Sequence, residues 1–235
     1  MKNKKIVKII YSVLFVIVLV VTFYSLYSYL NQEVNKYKII NSIEEEVSLL
    51  EKTEEVKTLE YYKEYYSNND VVGSLEIEGT NINTLLVQTT NNEYYLNHSL
   101  NKEYDIIGSI YVDYRVNLNS KQINIYGHNS QVYDVPFKEL ENYTDKDYYK
   151  EHKYIKIWDG ETTNIYEIFS VQIVTSDYEY INVDSSDWSN HIKELNNSIY
   201  DTGLSATEED DILVLQTCYY NPVNSFLIIN SKKIV

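Results

Sequence analysis

The 235 residues carry 20 Lys+Arg against 35 Asp+Glu, a formal net charge of -15. Phosphate backbones need a basic face, so nucleic acid is excluded as the main partner. Hydrophobic residues make up 44% of the chain, enough for a packed core and too many for wholesale disorder. Cys218 is the sole cysteine, which excludes an internal disulfide and any cysteine-rich zinc or iron–sulfur site.

Lys2, Lys4, Lys5 and Lys8 precede a run from Ile9 to Tyr24 that is almost continuously apolar, and no charge appears before Glu33. A helix needs roughly 20 such residues to cross the hydrocarbon layer. The spacing predicts a transmembrane anchor over 9–30, a cytoplasmic tail over 1–8 and everything beyond on the outer side, because positive charge stays inside. Tyr24, Tyr27 and Tyr29 fall at the outer interface. A cleaved signal peptide has a shorter apolar core, roughly 7–15 residues, and a small-residue cleavage site. Bulky tyrosines stand here instead. The acidic surplus of the outer part reads as a solvated surface.

Residues 31–69 form a predicted helical segment, Glu-, Lys- and Leu-rich without Gly or Pro over 33–66. Ile39, Ile43, Val47, Leu50, Val56 and Leu59 mark its apolar side. One rod would reach about 50 Å; a break near Thr53 would give two helices packed on the body.

From residue 70 the texture becomes that of short strands. They are expected at 71–77, 82–88, 108–113, 122–126, 154–158, 164–175, 212–217 and 226–229, with helices at 134–143, 145–152 (Asp145 as N-cap) and 187–197. The last two strands are continuous apolar runs, as central strands are. The pattern predicts a mainly β fold with added helices, a closed or nearly closed mixed barrel over 70–235.

Cys218 ends the run Ile212-Leu213-Val214-Leu215-Gln216-Thr217, and His128 follows Ile123-Asn124-Ile125-Tyr126-Gly127. Both are strand-end residues. A thiol needs a neighbouring base or cation to act near neutral pH. The competing reading makes Cys218 a small buried hydrophobe, the common fate of a free cysteine. His98, His152 and His191 read as structural or solvated, the last on a surface helix. No histidine pair has metal-ligand spacing, so no metal is implied.

These features resemble the sortases, membrane-anchored cysteine transpeptidases on the outer face of Gram-positive bacteria. The likeness is to class B. It is carried by Asn91-Asn92-Glu93-Tyr94-Tyr95-Leu96-Asn97-His98, by Gly108-Ser109-Ile110-Tyr111-Val112-Asp113-Tyr114-Arg115, by Tyr126-Gly127-His128 and by Leu215-Gln216-Thr217-Cys218. The resemblance implies that Cys218 attacks the threonine carbonyl of a sorting motif near the C-terminus of a secreted protein. His128 handles the protons, and a peptidoglycan amine resolves the thioacyl enzyme. It implies substrate contacts on Asn92, Leu96, Tyr126 and Thr217, no cofactor, and a single-pass location in the cell membrane.

The family carries an arginine on the last strand, shortly after the cysteine, that holds substrate and stabilises the oxyanion. This chain's single arginine is Arg115, and Ser225 occupies the nearest aligned position. Losing one preorganised oxyanion donor costs about 10²–10³-fold in rate. Either Ser225, Asn224 or a backbone N–H substitutes, or Lys232 reaches in, or the protein binds sorting peptides or wall components without efficient turnover.

Overall fold

The computed structural model describes residues 57–175 and 186–235 and, nearer the N-terminus, residues 15, 17–31 and 34. The chain divides into two compact units, Met1–Lys57 and Thr58–Val235. In the first, residues 17–31 are helical, and the apolar side chains of Val18, Phe23, Leu26 and Leu30 are exposed. Among the described residues no helix is long and apolar enough to cross a membrane. Residues 9–14 and 16 of the expected anchor lie outside the described residues. So do the expected break near Thr53 and the apolar stripe from Ile39 to Val56.

The second unit is a closed eight-stranded barrel, as its many short strands predict. The strands are β1 (Val71–Ile77), β2 (Asn83–Val87), β3 (Tyr111–Val112), β4 (Gln122–Tyr126), β5 (Tyr154–Trp158), β6 (Thr163–Thr175), β7 (Ile212–Tyr219) and β8 (Ser225–Lys233). They run around the barrel in the order β1-β2-β3-β4-β7-β8-β6-β5. The β2–β3 and β4–β7 pairs are parallel and the others antiparallel. Among the described residues three α-helices decorate it: α1 (Leu59–Tyr65), α2 (Lys146–Glu151) and α3 (Trp188–Leu195). The Asp145 carboxylate accepts from the backbone N–H of Asp147 as the expected N-cap of α2.

The strand pattern explains the core. Leu75, Ile77, Ile123, Ile125, Leu213, Leu215, Leu227 and Ile229 fill the barrel interior. The alternate residues of the last two central strands are also buried, but outside. Ile212, Val214 and Ile228 pack with Ile192 and Leu195 of α3. Burial on both faces is why β7 reads as an unbroken apolar run. The carbonyl oxygen of Leu195, at the α3 C-terminus, accepts from Ser170 Oγ, Gln172 Nε2 and Asn230 Nδ2, so the helix end is docked rather than left bare. Leu59, Tyr62 and Tyr66, in and just after α1, pack on a third cluster with Tyr95, Tyr111 and Tyr126.

Several sequence expectations change. The strand foreseen at 108–113 shrinks to Tyr111–Val112, because Gly108 adopts a left-handed φ of 66° and an added Cβ there would lie 2.5 Å from the Tyr95 carbonyl oxygen. The helix foreseen at 134–143 is a 3-10 helix over Pro136–Thr144, starting on its proline. Strand β8 runs four residues past Ile229, because Asn230 and Ser231 are buried with satisfied donors. His191 is not on a surface: it is 6% exposed, and its Nε2–H donates to Gln122 Oε1 at 2.6 Å.

Burial lowers the pKa of His191. The unfolded chain therefore takes up that proton first, and stability is lost as pH falls below about 6.5. Between pH 7 and 5 the wild-type Tm should fall more steeply than that of His191→Gln, which keeps a donor toward Gln122. Parallel Tm profiles in thermal melts would refute this.

Candidate active site

Strands β4 and β7 bring the two candidate residues, His128 and Cys218, to one end of the barrel. Their parallel register pairs Ile125 with Leu215 and Tyr126 with Gln216. Carried two residues further, it sets His128 abreast of Cys218 at the same rim of the barrel, on strands about 4.8 Å apart. Three bonds hold the pairing beyond the strand end. Gly127 N–H donates to the Gln216 carbonyl at 3.4 Å, Thr217 Oγ1 donates to the Gly127 carbonyl at 2.8 Å, and Asn129 Nδ2 donates to the Cys218 carbonyl at 2.9 Å.

Gly127 is needed for space rather than for a turn. A Cβ on it would fall 2.7 Å from the Phe137 ring and 3.1 Å from Ile110. Asn129 is buried, and its amide also donates to Glu141 Oε1 at 2.6 Å, while its carbonyl accepts from the Tyr220 hydroxyl at 2.9 Å. The residue after the histidine is thus tied to the cysteine's own carbonyl and to Tyr220 two residues on, a role that sequence reasoning missed. Its only sequence signal was position, directly after His128.

His128 Nε2 lies 2.7 Å from the Leu96 carbonyl oxygen. A carbonyl only accepts, so Nε2 carries a proton and Nδ1 is left as the nitrogen for proton exchange. A cleft of about 320 Å³ adjoins the ring, lined among others by Ile110, Pro136 and Phe137. Cys218 is exposed, yet desolvation raises its thiol pKa. The resting group at neutral pH is the thiol.

The other expected site residues divide. Leu96 is exposed and its carbonyl orients His128. Thr217 is buried and binds the two reactive strands together. Tyr126 is buried on the outer face of β4, its hydroxyl donating to Asp113 Oδ2 at 2.8 Å; Asn92 Nδ2 donates to the same oxygen at 3.1 Å. Burial would raise the Asp113 pKa, but bonds from the Arg115 guanidinium and backbone N–H, Tyr126 and Asn92 outweigh it and hold the carboxyl below its usual range. Tyr126 is raised by burial and by the Asp113 charge.

The arginine question acquires a geometry. Arg115 grips Asp113 through Nε at 2.9 Å and Nη2 at 2.7 Å. Ser225 is buried, and its hydroxyl donates to the carbonyls of Pro222 at 2.7 Å and Tyr219 at 3.2 Å, closing the β7–β8 turn. The residue facing Cys218 across that pair is Phe226. Lys232 does not reach in. It pairs with Ile212, at the far end of β7, and its Nζ donates to the Ser205 carbonyl at 2.7 Å. Six residues of strand separate it from Cys218, roughly 20 Å.

With no cation beside the sulfur among the described residues, the rate of Cys218 alkylation by iodoacetamide should keep rising beyond pH 8.5, about the ordinary thiol pKa; a plateau reached by pH 7 would reveal a stabilised thiolate. Asn129→Ala should lower turnover by roughly 10–10²-fold, since small misplacements of reacting groups are that costly. Circular dichroism of the variant should match the wild type. Unchanged turnover would show that the clamp is dispensable.

The sortase domain family matches residues 75–235. Sortase B of Listeria monocytogenes is 34% identical over 158 residues, covering 64% of this chain and 63% of that protein. Sortase B of Staphylococcus aureus is 30% identical over 161 residues, covering 64% of each. The match thus spans just under two thirds of the length of these relatives. The crystal structure of Clostridium perfringens sortase B superposes with a TM-score of 0.69 at 32% identity, covering 75% of this chain and 99% of that one. A barrel that sets a histidine beside a cysteine across a parallel strand pair, and this agreement in sequence and shape, make the chain a member of the sortase family, of the class B type.

Proposed function

We propose that the protein is a membrane-anchored cysteine transpeptidase that cleaves a C-terminal sorting motif of secreted proteins and joins the new threonine carboxyl to a cell-wall amine. The observation that carries this reading is the alignment of His128 with Cys218 at one rim, held by Thr217–Gly127 and Asn129–Cys218. The Cys218 thiol gives its proton to His128 Nδ1 as the sulfur adds to the threonine carbonyl carbon. The tetrahedral intermediate collapses to a thioester, and the leaving amine takes the proton from His128. An amine of a peptidoglycan precursor then attacks the thioester, His128 accepts its proton, and the thiol is restored. The mechanism needs no cofactor. Residues 17–31, helical with exposed apolar side chains, suit an anchor that begins before them, and the lysines ahead of the run set the catalytic unit outside.

Phe226 opposite Cys218 favours a second reading, a sortase-fold protein that binds sorting peptides with little turnover. Full-length protein in detergent should cleave members of a fluorogenic library of threonine-containing peptides, and Cys218→Ala should abolish cleavage. No cleavage of any member would sink the transpeptidase reading. Phe226→Arg separates the two readings. A rate gain of ~10²-fold or more, the worth of an oxyanion donor, from a barely active parent supports the binding reading. A neutral or harmful effect supports an enzyme that works without the guanidinium.

A further inference from the structure

The carbonyl that orients His128 belongs to Leu96, the last residue of a single 3-10 turn, Tyr94–Leu96. The Leu96 side chain is exposed, and one such turn is too short to hold itself. Its neighbour Tyr95 supplies the hold. Tyr95 is 2% exposed, and its hydroxyl donates to Asp70 Oδ2 at 2.9 Å and accepts from Asn68 Nδ2 at 2.8 Å. The same Asn68 amide donates to the Leu100 carbonyl at 2.8 Å, and Asn68 Oδ1 accepts from the Asp70 N–H at 2.9 Å. Asn68 is wholly buried, and its side chain spends both amide hydrogens and its oxygen on this node.

The backbone fixes both sides of the node. Helix α1 stops in a Schellman-type turn: Ser67 takes a left-handed φ of 50°, its N–H donates to the Glu64 carbonyl at 3.1 Å, and the Asn68 N–H donates to the Lys63 carbonyl at 2.8 Å. On the other side the Ser109 N–H donates to the Tyr95 carbonyl at 2.9 Å, and the next carbonyl along, that of Leu96, faces His128. Apolar contact among Tyr62, Tyr66 and Tyr95 keeps the turn against the barrel. Contact of that kind is non-directional, whereas hydrogen bonds set distance and angle, and buried ones specify a single arrangement.

We infer that Asn68 and Tyr95 are positioning residues for His128. Through the 3-10 turn they hold the Leu96 carbonyl where it accepts the Nε2 proton, so that Nδ1 stays the basic nitrogen. The residues that leave α1 are thus part of the support of the imidazole and not only a spacer ahead of β1. For turnover the inference rests on the transpeptidase reading; for the state of the imidazole it stands without it.

Tyr95→Phe removes one hydroxyl and keeps the ring. With the best peptide of the threonine library, full-length Tyr95→Phe should lose about 10-fold in kcat and keep KM within about 3-fold, because misplacing a reacting group slows the chemical step and leaves peptide binding alone. Asn68→Ala should behave alike. Tyr143→Phe is the control: it deletes another buried hydroxyl, one that donates to the His152 carbonyl at 2.6 Å, and should keep kcat even though it lowers Tm. Nitrogen-15 NMR of histidine-labelled full-length protein reads the ring without turnover. At about pH 8.5, above the ordinary histidine range, one fixed tautomer sets the two imidazole nitrogen resonances far apart, and a mixture draws them together. The His128 separation, identified by its loss in His128→Gln, should narrow in Tyr95→Phe and Asn68→Ala and not in Tyr143→Phe. Wild-type kcat in Tyr95→Phe, or an unchanged separation, overturns the inference. Should the wild type cleave nothing, the transpeptidase reading falls alone: narrowing still supports the strut, and its absence still overturns it.

Discussion

Everything in the barrel unit depends on one parallel strand pair. Parallel neighbours cannot be joined by a tight turn. Between Tyr126 and Ile212 the chain makes its 3-10 helix, α2, β5, β6 and α3 before β7 returns to lie against β4. What is gained is directional: both strands end at the same rim, so the residues that follow them, His128 and Cys218, emerge together. An antiparallel pairing would have sent them to opposite ends. The register matters as much as the direction, since a slip of one residue would turn Cys218 into the barrel and Thr217 out. Hydrogen bonds from Thr217 and Asn129 fix that register where the ladder itself has ended.

At this rim the carboxylate of Glu141 and the carbonyl of Cys218 share the amide of Asn129. The single guanidinium is committed to Asp113, where it supports Tyr126 and the loop bearing Asn92 rather than the thiol. Desolvation is what raises the Cys218 thiol. A thiol so placed is poorly reactive until a base takes its proton. The bond from Nε2–H to the Leu96 carbonyl fixes the tautomer and the tilt of that ring, so that Nδ1 is the basic nitrogen.

The sequence made the barrel legible because its signals were local. Alternation located β1, β4 and β5 to the residue, and Asp145 announced α2. It misled where burial was polar. A hydrophobic pattern ends β8 at Asn230, yet Asn230 and Ser231 continue the strand, their donors satisfied by Ser170 and Leu213. It placed His191 at the surface, since nothing local shows that Gln122 lies beneath it. That His128 and Cys218 follow neighbouring strand ends was readable from the two apolar runs before them. The position opposite Cys218 was not, because counting along an alignment reaches Ser225, whereas the antiparallel register and side-chain alternation place Phe226 there and fold Ser225 into the turn.

The site lies where the helical cover of β7 stops. On the outer face of that strand, Ile212 and Val214 are sealed by Ile192 and Leu195 of α3; Gln216 is buried without a partner for its acceptor; Cys218 is exposed. In four outward positions the strand passes from hydrophobic core to exposed thiol, with Gln216 at the boundary. Leaving its acceptor unpaired costs on the order of 1–3 kcal/mol. An apolar residue there would continue the core upward at no such cost. A polar side chain at that step marks where the apolar cover of β7 gives way and the strand end opens to solvent at Cys218.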